Sequence, residues 1–321
     1  MAIFAQLHEI LLSLINPWQF MFLAASFFPG TIVRLVRDRK FGVLLSPSQL
    51  KDAWFSNFWD WFAPNLRLNA GVRVIPLLEG RTTGGRVVEE PVGPGIGGTV
   101  IEIGAGSGNW VDVFSDKYLQ PVAAAEGGSS GAEVAEAAAG TTATQRGGDT
   151  QKKRKSAREP VTHVYGVEPN RDQHVSLRRK VKEAGLEGVY EIVPVGIEDL
   201  GDAAKWGGRV EKGSVDCIVS VLCLCSIPAP RDNVRELYGY LKKGGRWYVY
   251  EHVRRDEGLG MRAYQAFVNL FWPHFLGGCQ LCRPTEQWLR EAGPWEKIDV
   301  GHPEDEQWHH TLPHILGVFT K

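Results

Sequence analysis

The stretch VIEIGAGSGNW, from Val100 to Trp110, is an apolar run that ends on glycines at every second position, Gly104, Gly106 and Gly108. A strand that stops on so much bare backbone lets main-chain N–H groups approach a ligand that a row of Cβ atoms would hold off. A dinucleotide fingerprint reads G-x-G-x-x-G, and Asn109 stands where its third glycine belongs. The pyrophosphate of a dinucleotide would also be repelled by Glu102, two residues before the first glycine, whereas a cation would be drawn to it. The next apolar run, HVYGVEP, ends near Glu168, about 20 residues past the glycines once a low-complexity insert is set aside, where a carboxylate grips ribose hydroxyls. The pattern describes a ligand with a ribose and a positive charge.

Working outward, apolar runs alternate with amphipathic ones. TVIEIGAG, HVYGVEP, YEIVPVG, VDCIVSVLCLC and RWYVYEHV read as strands. GNWVDVFSDKYL, RDQHVSLRRKVKEAG and RDNVRELYGYLKKGG read as helices, the last ending on its glycines, and PTEQWLREAG as a short helix before a final strand, HILGVFTK. Such alternation predicts an α/β domain, a doubly wound and mostly parallel sheet covered on both faces. Residues from about 120 to 160 offer few large apolar groups to offset chain entropy and are expected to be disordered, their KKRK run reading as a solvated charge cluster. That insert falls after a helix and before a strand, at the sheet edge opposite to the one where such folds bind ligands. Three regions follow: an apolar segment over 1–41, an aromatic-rich helical segment with a Gly/Pro-rich loop over 42–98, and the α/β domain over 99–321.

With 36 basic and 37 acidic residues, the net charge of −1 points to no nucleic-acid partner. Five cysteines, three of them (Cys217, Cys223, Cys225) in or just after one apolar run, fit buried thiols in a reducing compartment. From Ile10 to Val33 the chain carries no charge, long enough to cross a bilayer, although Asn16-Pro17 and Pro29-Gly30 also suit a hairpin or an interfacial helix. The basic cluster Arg34, Arg37, Arg39 and Lys40 comes after the run, which keeps the rest of the chain on the cytosolic side. The alternative is a buried helix pair packed on the domain. The aromatic stretch AWFSNFWDWF reads either as a belt at headgroup level or as plain core.

The glycine turn with its two acids resembles the first motif, and the partner acid, of class I S-adenosylmethionine-dependent methyltransferases, which share a Rossmann-like fold. The resemblance assigns Glu102, Gly104, Ala105, Gly106 and Gly108 to the methionine half of the cofactor and Glu168, with Pro169 and Asn170, to the ribose. It places Gly196, Ile197 and Glu198 of VGIEDL at the adenine, with Val221 and Leu222 completing the cofactor wall. From about residue 98 to the end, SVDCIVSVLCLCSI, LKKGG, YVYEHV and GGCQLCRPTEQW are similar to the membrane-anchored thiol methyltransferases of the methyltransferase-like seven type. That family implies methylation of small apolar thiols at the endoplasmic reticulum or on lipid droplets, with Cys225, Trp272 and Cys279 at the substrate pocket. The two Gly-rich insertions, and Cys282 where a hydroxyl residue is expected, depart from it.

Methyl transfer is a displacement at a carbon already activated by the sulfonium, so alignment and exclusion of water are the main demands, and no metal is expected. A thiol must lose its proton, and a neutral imidazole suits that task. His252, at the end of YVYEHV, is the first candidate base and His314, in LPHILG, the second. Cys279 and Cys282 form a C-x-x-C, but one pair is half a zinc site. Three classes compete: a methyltransferase acting on sulfur or, alternatively, on nitrogen or oxygen of a small acceptor; a nicotinamide oxidoreductase, disfavoured by the missing glycine; and a membrane-tethered cofactor-binding protein without turnover.

Overall fold

The computed structural model describes residues 2–115 and 159–321. The insert expected at about 120–160, up to residue 158, the KKRK run and the end of the helix expected over 108–119 lie outside the described residues. The described part of that helix is one 3₁₀ turn, Val111–Phe114.

Four helices lead the chain: α1 (Ala2–Ser26), α2 (Phe28–Arg37), α3 (Phe41–Leu44) and α4 (Pro47–Leu78). A two-stranded hairpin, β1 (Thr82–Thr83) and β2 (Arg86–Val87), interrupts the Gly/Pro-rich loop. The sheet is built from β3 (Gly98–Ile103), β4 (Val161–Val167), β5 (Tyr190–Val193), β6 (Val215–Val221), β7 (Leu241–His252), β8 (Lys297–Gly301) and β9 (His314–Thr320). Between them lie α5 (His174–Glu183), α6 (Ala203–Trp206), α7 (Pro230–Tyr240), α8 (Leu259–Asn269), α9 (Trp272–Phe275) and α10 (Thr285–Arg290). The strand order is β5-β4-β3-β6-β7-β9-β8, with β9 antiparallel to both its neighbours. A dinucleotide-binding sheet runs 3-2-1-4-5-6, so a late strand inserted antiparallel next to the edge separates this fold from it.

The expected strands are present, and the mostly parallel sheet with them. The helix expected to end on Gly244-Gly245 stops instead at Tyr240, and LKKGG already belongs to β7, which pairs Leu241 with Val215 across a register shift. Gly244, at φ +76, serves a bend within the strand rather than a helix end.

Alternation along the strands divides the core. Val100, Cys217, Val219, Tyr248, Tyr250 and Leu316 face α5 and the last turns of α4, where Val74, Leu77 and Leu78 are buried. Ile101, Ile103, Ile218, Trp247, Val249 and Phe319 face α7 and α10. The first turns of α4 carry Phe55, Phe58, Trp59 and Phe62 into a third cluster with Met21 and Ala24 of α1 and with Val268, Trp272 and Leu276. One 32-residue helix thus joins the amino-terminal helices to the sheet.

Residues Phe4–Arg37 are long and apolar enough to cross a membrane. In the fold they break at Phe27 and lie against the domain: the Trp18 indole N–H donates to Tyr264 Oη at 2.8 Å, Ser13 Oγ donates to the His309 carbonyl at 2.8 Å, and Trp54 donates to the Ala24 carbonyl at 2.8 Å. Only one face is used. Phe4, Leu7, Leu11, Phe22, Val33 and Leu45 remain exposed.

Candidate functional site

The glycine turn follows β3 with Gly104, Gly106 and Gly108 at φ +69, +55 and +82, a backbone course that side chains resist. A Cβ on Gly104 would stand 2.6 Å from the Cβ of Cys223, so the turn and the end of β6 touch where nothing larger fits. The N–H groups of Gly104 and Ala105 both donate to the Val167 carbonyl, at 3.0 and 3.1 Å, which sets the turn beside the end of β4.

There Glu168 receives two main-chain N–H groups, Gly106 on Oε2 and Asn170 on Oε1, each at 2.8 Å. Burial raises its pKa above the ordinary carboxyl value against the pull of those bonds. A carboxylate offers about four lone-pair sites, so two remain for donors such as ribose hydroxyls. Glu102 lies beneath the turn, 3% exposed, and accepts a hydrogen bond from the Tyr190 hydroxyl. Burial pushes its pKa up to about 8, so the side chain is protonated near neutrality unless a cation arrives to favour the charged form. The partner residue across the strand must be glycine, since a Cβ on Gly166 would come within 2.2 Å of the Tyr190 hydroxyl.

Pro169 and Asn170 open the loop after Glu168, and the Asn170 side chain donates to Ser56 Oγ of α4 at 3.1 Å. Gly196, Ile197 and Glu198 form the turn after β5, whose Val193 carbonyl accepts the Glu168 N–H at 3.0 Å. Val221 closes β6 and Leu222 follows at φ +54, an uncommon conformation for a branched side chain that holds the next residues against Gly104. The expected cofactor residues therefore gather at the carboxyl ends of β3, β4, β5 and β6, where open α/β sheets bind ligands.

Helix α4 closes this edge, which the sequence reading did not foresee. Ser56 accepts from Asn170 and, at 3.0 Å, from Gln173; Arg67 reaches the Asn109 carbonyl at 3.2 Å and the Asp112 carboxylate at 2.8 Å. Trp59 Nε1 would be 3.5 Å from a Cβ on Gly106. Ser56 and Arg67, about three turns apart on one helix face, were the available signal, hidden by the aromatic residues between them.

On the other side of Cys223 lies a second group. A ring nitrogen of His252 and the sulfurs of Cys225 and Cys279 all fall within 4.8 Å of one another, with Cys279 Sγ 3.7 Å from His252 Nδ1. Cys225 and Cys279 are buried together with Trp272, whose indole N–H has no hydrogen-bond partner. The hydrogen bond to Cys279, and then burial, push the Cys225 thiol well above its ordinary value. Burial alone would lower the His252 pKa, but Cys225 and the acids Glu251 and Glu306 hold it above the usual imidazole range.

Glu251 is fully buried on the opposite face of β7 and accepts from the N–H groups of Cys223 and Leu224, at 3.0 and 3.1 Å. It fixes the turn that carries Cys225. An acid among YVYEHV was legible as an exception to an apolar strand, and the sequence reading passed over it.

His314 sits opposite His252 in the antiparallel pair, ring centroids 4.6 Å apart, with its Nδ1 engaged by Glu306. Burial, and then His252, drive it down to about 4, which keeps it neutral. The C-x-x-C does not close: Cys282 lines a separate groove with Arg254 and Arg262. All five cysteines are free.

The site fits a sulfonium nucleoside on its own evidence: a turn with three glycines at positive φ and no room for a Cβ at Gly104, a buried carboxylate with acceptor capacity left, a second acid beneath, and Gln173 Oε1 buried without a partner in the adjoining turn. Matches to known proteins agree. Residues 93–293 match the family described as "Methyltransferase domain", and the chain belongs to that family, whose methyl donor is S-adenosylmethionine. It is 32% identical over 113 residues to thiol S-methyltransferase TMT1B of Rattus norvegicus and 33% identical over 113 residues to the Homo sapiens protein of that name. Each alignment covers 35% of this chain and 46% of the relative, so the chain spans about half the length of the curated relatives it matches. An O-methyltransferase family protein from Burkholderia thailandensis superposes with a TM-score of 0.50 at 14% identity, covering 96% of this chain and 71% of that one, a likeness of fold.

Proposed function

We propose that this member of the methyltransferase-domain family transfers the methyl group of S-adenosylmethionine to a small apolar thiol while attached to the cytosolic face of a membrane, the endoplasmic reticulum or a lipid droplet. One observation carries the reading: the glycine turn that would take the cofactor touches, through Cys223, the turn that holds Cys225 beside His252 and Cys279. The named activity of the partial relatives supports sulfur as the acceptor.

Bound cofactor supplies an electrophilic methyl carbon. In this reading Glu168 holds the ribose, the turn from Gly104 to Gly108 the methionine half, and Glu102 balances the positive charge. Phe55 and Trp59, stacked 5.4 Å apart, stand over the turn and the 277–279 loop and exclude water. His252 is the basic group on the acceptor side, whereas the ring of His314 is engaged by Glu306. A panel of alkyl thiols, amines and phenols, read by mass gain of one methyl, tests the proposal. Turnover is expected with the thiols and lost on His252→Ala by about a hundredfold or more; preferential methylation of amines or phenols would overturn the assignment to sulfur.

The membrane face is read from what α1 leaves uncovered. Trp18 packs on Phe267 of α8 and on Phe271, two residues beyond its end, with ring centroids 5.8 and 5.5 Å apart, so the exposed side of α1 continues onto Phe267, Leu270 and Phe271. The arrangement suits a protein lying in the interface better than one threaded through it. Phe267 and Leu270 are 51% and 65% exposed, and burying that remaining surface in lipid gives about 2–3.5 kcal/mol. The double variant Phe267→Asp, Leu270→Asp is expected to lower binding to phospholipid vesicles by at least about tenfold, measured by flotation; unchanged flotation would remove α8 from the membrane face.

A further inference from the structure

We propose that Cys225, His252 and Cys279 bind a zinc ion whose fourth position takes the acceptor thiol as a thiolate. The last clause rests on the thiol-methylating reading above; the metal site does not. Two sulfurs and an imidazole nitrogen within 4.8 Å of one another are a borderline-soft donor set, and tetrahedral zinc with Zn–S of about 2.3 Å and Zn–N of about 2.0 Å has ligand–ligand edges of about 3.5–3.8 Å. The 3.7 Å between Cys279 Sγ and His252 Nδ1 is already such an edge. Three protein ligands rather than four are the mark of a catalytic zinc site, which keeps one position open.

The donors come from three elements, and each is fixed by bonds that do not use the donor atom. The Gln280 N–H donates to the Cys225 carbonyl at 2.9 Å, tying the two cysteine loops to one another. Arg283 Nη1 donates to the carbonyls of Leu224 and Ile227, at 2.8 Å each, and Asn269 Oδ1 receives the Leu281 N–H at 2.6 Å. His252 is held by β7 in register with β9. A site that is assembled before its ion arrives is what tight and selective coordination needs. The unpartnered Trp272 N–H lies in the same buried cluster.

The chemistry balances without another reactant. The acceptor R–SH displaces water from zinc and gives its proton to solvent, since a coordinated thiol is held deprotonated. A lone pair of the zinc-bound sulfur forms the new S–CH3 bond as the sulfonium C–S bond breaks, and the bond pair stays on the cofactor sulfur. The products are a neutral thioether, a weaker zinc ligand that leaves for water, and S-adenosylhomocysteine. His252 then serves as a ligand, and its replacement still removes turnover.

The full chain, purified in detergent under reducing conditions and reconstituted first with Zn²⁺ and then with Co²⁺, is expected to hold about one metal ion per chain by mass spectrometry. The cobalt form should show a near-ultraviolet thiolate-to-cobalt charge-transfer band that grows by about half when hexanethiol adds a third sulfur to two. The pair Cys225→Ser, Cys279→Ser is expected to lose the ion while calorimetry shows S-adenosylmethionine bound as before; Cys282→Ser is expected to keep it. No stoichiometric metal in the reconstituted wild type, a Cys225–Cys279 disulfide in its place, or equal retention by the double variant would overturn the site. A cobalt band indifferent to hexanethiol would overturn the acceptor position. Absence of thiol methylation with that band still responding would instead sink the thiol-methylating reading and leave the metal site standing.

Discussion

Replacing Glu168 by alanine is expected to weaken S-adenosylmethionine binding by about a hundred- to ten-thousand-fold. Two ribose hydroxyls donating to a buried carboxylate contribute about 1.5–3 kcal/mol each, and about 1.4 kcal/mol is a factor of ten in affinity. The loss is specific to the acid because the rest of the turn does not lean on it alone: Gly104 and Ala105 also bond to the Val167 carbonyl. The Gly106 and Asn170 N–H groups do lose their acceptor, so melting temperature and circular dichroism must accompany the calorimetry. Glu168→Gln keeps one oxygen acceptor and turns the other into a donor, and an intermediate affinity is expected. An alanine variant that folds and binds the cofactor within a few-fold of wild type would mean that this carboxylate does not touch the ribose.

The second large effect is expected at Gly104. Alanine there must adopt φ +69, which costs about 1–2 kcal/mol, and its Cβ would stand 2.6 Å from that of Cys223. Cys223 cannot yield cheaply, since its N–H is held by the buried Glu251. Overpacking adds about 1–3 kcal/mol, so Gly104→Ala is expected to lower stability by about 2–5 kcal/mol and to depress cofactor affinity and methyl transfer together. Gly188→Ala, where a Cβ meets nothing within 4 Å, is the control and should be near neutral by denaturant titration. If the Gly104 variant bound cofactor normally and lost transfer alone, the turn would belong to the acceptor side only.

Much of this was legible because parallel strands buried on both faces are nearly continuous apolar runs, as in VDCIVSV and TVIEI, and because glycines at a strand end leave few alternatives. Edge strand β8, KIDVG, escaped because an exposed edge has no apolar pattern to show. Helix α4 was expected as part of an aromatic-rich helical segment, but not its place over the site: its crowd of aromatic residues, with Pro64 and Pro76 inside, blurs the 3.6-residue period that would show which face it buries. The helix-to-strand switch at Tyr240 was misplaced because LKKGG carries the usual signs of a helix end, while the pairing of Leu241 with Val215 decides otherwise.

The trio of donors was out of reach of spacing rules altogether. Cys225 follows β6, His252 ends β7 and Cys279 follows α9, so their separations in sequence reflect loop lengths and not coordination geometry. The nearer partner in sequence, Cys282, is turned to another groove.

Because one helix, α4, carries both the rings that pack on α1, Phe58 and Phe62, and those beside the glycine turn and the 277–279 loop, Trp59 and Phe55, lipid attachment and chemistry would share one wall in the proposed reading. A lipophilic thiol would enter sideways, from a phase in which it is already enriched. Its effective concentration would then follow its oil–water partition coefficient, and the range of compounds turned over would be sorted by solubility before any side chain selects among them.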